Sequence, residues 1–429
     1  MKIVMLTNTF TPHVGGVARS VSAFTNEYRR CGHQVLVVAP EFPDMPKAET
    51  GVVRIPAIQN FNGSDFSVVL PVSGLLTDVL DDFKPQIIHA HHPYLLGTTA
   101  LRIARYRELP LVYTHHTLIE QYTHYMPGDT PGFKRFAIKM GTRYANLADQ
   151  VFAPSESIVT LLQQRGVQTP ITVVPTGVDV EHFAQGDGAR FRAQMAIPAD
   201  AFVVGHLGRL APEKNLEYLA EAVADFVKQN SRARFLVVGK GPSEPQIRAI
   251  FARRGLSERL HIAGILEARQ LVDAYHAMDV FAFSSRSETQ GMVLTEAMAA
   301  GVPVVALDAP GVREVVRDEC NGRLILNEPI EALVSALQWI ASLPAARRSV
   351  LQQCVHETAD KYSMPNTAEK ALACYESLID HAGVANAGDL EHWGNLLHLI
   401  KAEWDIARGI ASATGAALST KQPADRWPS

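Results

Sequence analysis

The sequence predicts an α/β protein built from two Rossmann-like halves. The chain has 429 residues, which is long for one domain and suits two domains of about 200 residues. A short apolar strand, a glycine turn and a helix occupy 2–30, and the same order restarts at 203. Short apolar runs alternate with helical stretches in both halves, a pattern typical of parallel sheets packed between helices.

In the first half, each predicted strand is an apolar run that ends in a polar or glycine turn. Residues 41–66 between the second and third strands are rich in loop-forming residues, and 131–148 predict a helix that carries four basic side chains. The predicted strands are 2–8, 35–39, 87–90, 111–114, 151–153 and 171–175.

In the second half, strands are predicted at 203–207, 235–239, 280–283 and 304–307, after a polar linker at 180–200. Helices fill 328–380, and the final one is expected at 362–379. Residues 389–410 place Leu and Trp side chains three or four apart, which predicts an amphipathic helix that packs on the protein or touches a membrane or subunit. Residues 413–429 are expected to be disordered.

Composition narrows the class of protein. A hydrophobic fraction of 47% and a charged fraction of 20% are ordinary for a globular protein, and a net charge of -4 gives no support for nucleic-acid binding. The four cysteines are scattered without a Cys-x-x-Cys pair, which argues against a disulfide framework or a zinc site and favours a reducing compartment. No apolar stretch has the length of a signal peptide core or a membrane span, so a cytoplasmic location is expected.

The stretch 284–303 is the most informative part of the chain. It follows the apolar strand 280–283, begins as a polar loop and becomes helical at Gly291 or Met292. Amide N–H groups and the helix dipole make such a helix start suitable for phosphate. Glu288 and Glu296 have seven residues between them, and both carboxylates suit a polyhydroxyl ligand. A nucleotide-sugar has this shape, although a capped helix with one solvated glutamate would give the same spacing.

The segment SETQGMVLTEAMAAGVPVVA, followed by PGVREVV, resembles the Glu-seven-residues-Glu motif of a large family of retaining glycosyltransferases. The resemblance implies the GT-B fold, in which an N-terminal acceptor domain and a C-terminal donor domain face each other across a cleft. It implies domains at 1–180 and 181–365, with helices in 366–412 returning to complete the first domain.

The resemblance also assigns donor-binding residues. Arg209 and Lys214, in Gly-Arg-Leu-x-x-x-Lys-Asn, match the family's phosphate-binding pair, and two cations near a helix start can neutralise a diphosphate. Glu288 would hold sugar hydroxyls and Glu296 the ribose hydroxyls. The remaining expected donor-side residues are Gly16, Gly241, Ile265, Thr289, Gln290, Gly291 and Met292.

His115-His116-Thr117 follows a predicted strand and resembles the family's His-Thr element beside the transferred sugar, so His116 would bind that sugar or seat the acceptor hydroxyl. Gly15 of the Gly-Gly turn and His115 are assigned to the acceptor side. The segment after His116 is similar to that of bacterial diacylglycerol glucosyltransferases, which places Glu120, Tyr122 and Tyr125 at the acceptor entrance. His89, His91 and His92 also cluster, and histidines at strand ends are favoured there over a metal site because no standard ligand set is complete.

The predicted function is transfer of a hexose, glucose, from a UDP-sugar to a lipid or glycolipid acceptor. The transfer is expected to retain the anomeric configuration, to need no metal and to take place at the inner face of the membrane. The basic helix 131–148 would suit anionic lipid. A GDP-mannose-dependent enzyme acting on a soluble or polysaccharide acceptor is the alternative. A two-lobed solute-binding protein is a further alternative. An NAD-dependent enzyme is disfavoured because Gly15-Gly16 is not part of a G-x-G-x-x-G motif.

Overall fold

The computed structural model divides the chain into two compact α/β units. Unit 1 comprises Met1–Thr176 and the described residues from Thr367 onward, and unit 2 comprises Gly177–Asn366. The structure describes the whole chain except residues 14, 47, 59–67, 70–75, 119, 121–129, 287, 327–328, 386–407, 409–413 and 415–429.

Unit 1 is built on a parallel sheet, and its described strands run in the order β3-β2-β1-β6-β7-β8-β9. The two short strands β4 and β5, which follow β3 in the chain, form a separate antiparallel pair. The strands are β1 (Lys2–Leu6), β2 (Gln34–Pro40), β3 (Val52–Ile55), β4 (Ala57–Ile58), β5 (Val68–Val69), β6 (Ile87–Ala90), β7 (Leu111–Thr114), β8 (Gln150–Ala153) and β9 (Ile171–Val173).

Helices make most of the crossover connections between these parallel strands. The described helices before residue 177 are α1 (Gly16–Arg30), α2 (Thr77–Phe83), α3 (Leu96–Tyr106), α4 (Pro131–Ala145) and α5 (Glu156–Gln164). The central strands β6 and β7 are buried along their whole length, because helices cover the sheet and leave no polar face. This burial explains why their apolar runs were predicted with the correct bounds.

Unit 2 repeats the plan. Its described strands form a parallel sheet in the order β12-β11-β10-β13-β14-β15. The strands are β10 (Phe202–Leu207), β11 (Ala233–Val238), β12 (Leu260–Gly264), β13 (Val280–Phe283), β14 (Val304–Leu307) and β15 (Gly322–Ile325). The helices are α6 (Val180–Phe183), α7 (Gly188–Gln194), α8 (Leu216–Gln229), α9 (Glu244–Arg253), α10 (Ala268–His276), α11 (Met292–Ala299), α12 (Ile330–Ala341) and α13 (Ala345–Lys361). The predicted α/β class with two parallel-sheet halves is confirmed.

The last described helix, α14 (Met364–Ala385), begins in unit 2 and belongs to unit 1 from Thr367 onward. Tyr375 of this helix is fully buried, lies 5.7 Å ring to ring from Tyr28 of α1 and is stacked on Phe152 of β8. The final helix therefore packs on the first half of the chain, as expected. The predicted amphipathic helix at 389–410 lies outside the described residues, apart from residue 408.

The stretch 180–200 is not a linker, so that expectation was wrong. It contains α6 and α7, whose Phe183 and Phe191 are buried in the core of unit 2. Arg190 of α7 pairs with the buried carboxylate of Asp273 in α10. The polar sequence concealed these helices because each of them fully buries only one aromatic side chain.

The stretch 41–66, expected to be rich in loops, also contains the edge strand β3 and the short strand β4. The expectation against disulfide bonds was wrong. The cysteines are not all free: Cys320, just before β15, is bonded to Cys354 of α13, and their Cα atoms are 5.6 Å apart. These residues lie 34 positions apart, so spacing alone gave no signal. Among the described residues, no helix has the length and apolar character needed to cross a membrane.

Candidate active site

An ion pair stands at the carboxyl ends of two neighbouring strands of unit 2. Lys214, in the short helical turn Pro212–Lys214 after β10, donates from Nζ to Oε1 of Glu288, in the loop after β13. The two side chains expose only 18% and 15% of their surface. Open α/β sheets bind their ligands at this edge. The structure therefore brings together two predicted site residues that are 74 positions apart in sequence.

Arg209, the other predicted cation, is placed differently. Its guanidinium pairs with Glu213 four residues later, and its side chain is half exposed. Leu210, the next residue, is held in place because its amide donates to the carbonyl of Lys240 and its carbonyl accepts from the amide of Ser243. Arg209 therefore extends from a fixed backbone turn toward solvent, and its exposed ion pair is weak enough to exchange for a phosphate.

The loop 288–291 is fixed by two glycines in left-handed conformation. Gly291, with φ 73°, caps the start of α11. Gly311, with φ +77°, lies so close that a Cβ there would stand 2.7 Å from the amide nitrogen of Gln290. Only glycine permits both the backbone angle and this approach. Thr289, Gln290, Gly291 and Met292 are thereby held at a helix start, where the dipole favours an anion.

Glu296, one turn further along α11, is buried and 4% exposed. Its Oε2 accepts a hydrogen bond of 2.8 Å from the hydroxyl of Tyr275 in α10. A buried carboxylate keeps a defined geometry when a hydroxyl donor holds it. Glu296 is therefore a buried acceptor held by Tyr275 and not a solvated helix side chain.

His206 of β10 is a polar residue in this region that sequence reasoning missed. Its Nδ1 lies 3.0 Å from the carbonyl of Ala282, so the ring carries its proton there, and Nε2 has no partner in the described structure. Burial lowers its pKa to about 4, a shift that the carbonyl of Ala282 opposes and Lys214 reinforces. A lone histidine within an apolar strand gives no sequence signal.

The other predicted donor residues of unit 2 lie at the same edge of the sheet. A Cβ on Gly241 would stand 2.3 Å from the carbonyl oxygen of Leu210, so the turn after β11 packs directly on the turn after β10. Ile265, which follows β12, is 64% exposed and offers an apolar surface. Both residues are thus available to a ligand bound along this edge.

In unit 1, the carboxyl ends of β6 and β7 carry a cluster of histidines, of which His116 is partly buried and the others are buried. Nδ1 of His91 lies 2.8 Å from Nε2 of His116, and Nδ1 of His115 lies 3.2 Å from the hydroxyl of Tyr113. His89 contacts the hydroxyl of Tyr375 at 2.6 Å through Nδ1. His92 accepts a hydrogen bond from the amide of Asn8.

These histidines are neutral at neutral pH. Burial lowers the pKa of His89, His92 and His115 to about 3 each. Burial, reinforced by the neighbouring rings, also lowers the pKa of His91 and of His116 well below the usual value. The described residues contain no group of three or more His, Cys, Asp or Glu side chains with the geometry of a metal site. The cluster is therefore a set of hydrogen-bonding rings rather than a positive patch.

The remaining acceptor-side residues are placed in part. Gly15 is the N-cap of α1 and Gly16 its first residue, so the Gly-Gly turn opens a helix after β1. Glu120 forms a nearly buried ion pair of 2.6 Å with Arg165. Its role at an acceptor entrance stays a prediction, and Tyr122 and Tyr125 lie outside the described residues.

Sequence profiles of two families match the two halves of the chain. Residues 14–182 match Glycosyltransferase Family 4, and residues 187–353 match Glycosyl transferases group 1. A D-inositol 3-phosphate glycosyltransferase of Saccharomonospora viridis is 32% identical over 70% of this chain and 72% of that protein. The chain belongs to the glycosyl transferases group 1 family.

Two other relatives of this glycosyltransferase match over a larger share of the chain. An α-monoglucosyldiacylglycerol synthase of Acholeplasma laidlawii is 27% identical over 89% of this chain and 98% of the relative. A GDP-mannose-dependent α-mannosyltransferase of Mycobacterium tuberculosis is 29% identical over 88% of this chain and 97% of the relative. These relatives support a hexosyltransferase and differ in the donor and acceptor that their names state.

Solved structures give the fold of the glycosyltransferase. The sucrose-phosphate synthase of Thermosynechococcus elongatus matches with a TM-score of 0.71, at 21% identity, over 88% of this chain and 99% of that structure. HepE of Anabaena in complex with UDP matches with a TM-score of 0.68, at 22% identity, over 88% of this chain and 100% of that structure. The predicted GT-B fold is therefore confirmed.

Proposed function

We propose that this glycosyltransferase moves glucose from UDP-glucose to a hydroxyl of a membrane lipid, diacylglycerol or a glycolipid, with retention of the anomeric configuration. The observation that carries the donor half of the proposal is the Lys214–Glu288 ion pair beside the start of α11. In this pair a cation that could bind phosphate lies beside a carboxylate that could bind sugar hydroxyls, at one end of the unit 2 sheet.

The chemistry follows from where charge develops. Breaking the bond between sugar and phosphate leaves negative charge on the diphosphate, which Lys214, Arg209 and the amides of Gln290, Gly291 and Met292 would stabilise. The Lys214 ammonium has three N–H donors, so it can keep Glu288 and still reach a phosphate oxygen. Glu288 would then hold the sugar hydroxyls, and Glu296, fixed by Tyr275, would hold the ribose hydroxyls.

Retention requires no nucleophile from the protein in this scheme. The acceptor hydroxyl attacks from the face that the diphosphate leaves, and a phosphate oxygen takes the hydroxyl proton. His116 would hydrogen-bond the transferred sugar or seat the acceptor. Since two cations and a helix start can carry the charge of the leaving group, we propose that no divalent metal takes part.

Two observations support a lipid acceptor. One is the relationship to the Acholeplasma synthase, whose name states a glucosyldiacylglycerol product. The other is α4, in which Lys134 and Lys139 are exposed and the rings of Phe133 and Phe136 stack at 6.2 Å. Basic side chains beside aromatic rings favour contact with an anionic membrane surface. We propose peripheral attachment to the inner face of the cell membrane through this helix.

The proposal is tested by measuring nucleoside diphosphate release from a set of UDP- and GDP-sugars, with and without vesicles of phosphatidylglycerol containing diacylglycerol. We expect UDP-glucose with lipid to give the fastest release and a glucosylated lipid product. A matched vesicle co-sedimentation compares the native protein with Lys134→Glu and Lys139→Glu, which should bind less. Activity that needs only a soluble acceptor and is unchanged by vesicles would reject the lipid acceptor.

A second candidate is transfer of mannose from GDP-mannose to a soluble or polysaccharide acceptor. The relationship to the Mycobacterium mannosyltransferase, which is as extensive as that to the lipid glucosyltransferase, supports it. The same donor screen separates the two: preference for GDP-mannose would favour the second candidate. Both candidates use the same arrangement of cations and carboxylates in unit 2.

A further inference from the structure

The contact between His91 and His116 is given no role by the proposed function. His91 directly follows β6, and His116 lies two residues beyond the end of the neighbouring strand β7. Nδ1 of His91 is 2.8 Å from Nε2 of His116, and the two rings stack with centroids 5.1 Å apart and planes 25° from parallel. The two rings thus meet at one end of the sheet.

His91 is held firmly enough to orient a neighbour. Its side chain is buried, its ring lies 4.1 Å from that of His89, and its backbone amide donates to the carbonyl of Leu6 in β1. His89 is in turn fixed between the hydroxyls of Thr114 and Tyr375. A buried ring with such neighbours has little freedom to rotate, so it can define the position of the ring that it contacts.

The surroundings of His91 also select the tautomer of the pair. Nε2 of His91 is buried and has no hydrogen-bond partner in the described structure. If His116 donated from Nε2, His91 would carry its own proton on Nε2, as a buried N–H without an acceptor, which is rare in proteins. If His91 donates from Nδ1, its buried Nε2 carries only a lone pair without a partner. The favoured arrangement therefore leaves the His116 proton on Nδ1.

His116 must be neutral for this arrangement, since a doubly protonated ring has no lone pair to accept a hydrogen bond. Burial lowers the pKa of both rings, so His91 is neutral as well. The pair is consequently one donor and one acceptor throughout the neutral pH range.

We propose that His91 is a positioning residue that fixes the ring orientation of His116 and holds its proton on Nδ1, so that His116 meets the substrate as a hydrogen-bond donor to a hydroxyl oxygen. The inference rests on the proposed function, in which His116 contacts the transferred sugar or the acceptor. It adds a residue and a protonation state that the family resemblance does not supply.

The first measurement concerns the tautomer and needs no substrate. Two-bond proton–nitrogen correlation spectra of the full chain, labelled with ¹⁵N-histidine, distinguish a protonated ring nitrogen from an unprotonated one. Comparison with His116→Ala assigns the His116 signals. We expect Nδ1 of His116 to be protonated and Nε2 to be unprotonated at pH 7.5. A proton on Nε2 of His116 would overturn the proposal.

The second measurement compares two substitutions of His91. The side-chain amide of His91→Asn can donate from near the position of Nδ1 and should keep both the tautomer and most of the turnover. His91→Phe retains a ring but cannot donate, so it should lose the tautomer preference and lower kcat/KM by about 10- to 100-fold, as expected for one hydrogen bond to a reacting partner. His33→Asn is the control, because His33 lies in unit 1 and uses Nδ1 for the N-terminal amine.

The outcomes separate this inference from the proposed function. If His91→Phe turns over as fast as the native protein while His116→Ala is inactive, only the positioning role of His91 is overturned. Native turnover of His116→Ala would overturn the role of His116 and, with it, the catalytic consequence of His91. Thermal unfolding of each variant identifies misfolded protein. If a variant is misfolded, the ¹⁵N-histidine spectrum of the native protein still tests the tautomer of His116.

Discussion

At the scale of single residues, the proposed donor site depends on two cations in different surroundings. Lys214 is mostly buried and already paired with Glu288, whereas Arg209 is half exposed and paired with Glu213 on its own turn. A nearly buried cation acts in a lower dielectric, so its interaction with a developing charge is stronger. The two residues therefore differ in how much turnover each should support.

The first prediction concerns these cations. Lys214→Ala should lower turnover by about 10²-fold or more, by analogy with the loss of one donor to a developing oxyanion. Arg209→Ala should have a smaller effect, because its charge is solvated. Arg248→Ala is a matched control, since Arg248 forms a similar exposed pair with Glu244 four residues away and should leave activity unchanged. Steady-state rates of diphosphate release decide; native rates for both site variants would remove these residues from the mechanism.

At the scale of elements, the loop before α11 depends on glycine. Gly311→Ala would place a Cβ 2.7 Å from the amide nitrogen of Gln290 in addition to the strain of a positive φ. Gly255→Ala is the control, because Gly255 has φ +68° but no atom within 4 Å of the Cβ position. We expect Gly255→Ala to cost about 1–2 kcal/mol of unfolding free energy. Gly311→Ala should cost about 1–3 kcal/mol more and raise the donor KM. Equal losses in urea unfolding would contradict this account.

A second prediction at this scale concerns the cross-link between the segment before β15 and α13. The Cys320–Cys354 bond closes a loop of 34 residues, for which the loss of chain entropy in the unfolded state is about 3–4 kcal/mol. Cys320→Ser should lower the unfolding free energy by about that amount. Cys31→Ser, at an exposed free cysteine, should leave it unchanged. Denaturation with and without reductant checks the assignment, and an unaffected Cys320→Ser variant would argue that the bond contributes nothing.

At the scale of the whole molecule, the buried histidines couple stability to pH. His89, His92 and His115 have pKa values of about 3 in the folded state against 6.5 when exposed. Well above pH 6.5 each is neutral in both states and contributes no pH dependence. As pH falls below 6.5, the unfolded chain binds protons that the folded chain excludes, so stability is lost until the folded pKa is reached.

This coupling gives the fourth prediction. At pH 5 each of the three histidines should cost about 2 kcal/mol, together about 6 kcal/mol, which approaches the whole stability of many domains. The Tm measured by circular dichroism should be constant above about pH 7 and fall steeply between pH 6.5 and 5. Carboxylates titrate mainly below this interval, so they do not explain a fall that begins there. A constant Tm down to pH 5 would contradict the buried neutral state.

Much of the fold was predictable from sequence, because both sheets are parallel and covered by helices. β6, β7, β13 and β14 appear as short, mainly apolar runs and were predicted with their observed bounds. The edge strands β3 and β15 are partly exposed and lack such runs, and neither was predicted. Pattern reasoning identifies buried strands and misses elements whose pairing depends on distant parts of the chain.

The candidate site shows the same division. Lys214, Glu288 and Glu296 stood out because they lie in motifs beside a strand end. The donor to Glu296, Tyr275, lies in another helix, and the partner of His116, His91, lies on another strand. His206 is surrounded by apolar residues in its own strand. Tyr275 and His91 are recognised only by their contacts, which join positions 21 and 25 apart and so leave no local pattern in the sequence.

The route of α14 has a consequence for synthesis of the protein. Tyr375 closes the core of unit 1 against Tyr28 and Phe152 and holds His89, yet it follows every residue of unit 2 in the chain. Domains usually fold in the order in which they leave the ribosome. Here the first half emerges early without its last helix, while unit 2 has all its residues before that helix is made. The half that is translated first consequently lacks part of its core, including the Tyr375 partner of His89, until α14 has been made.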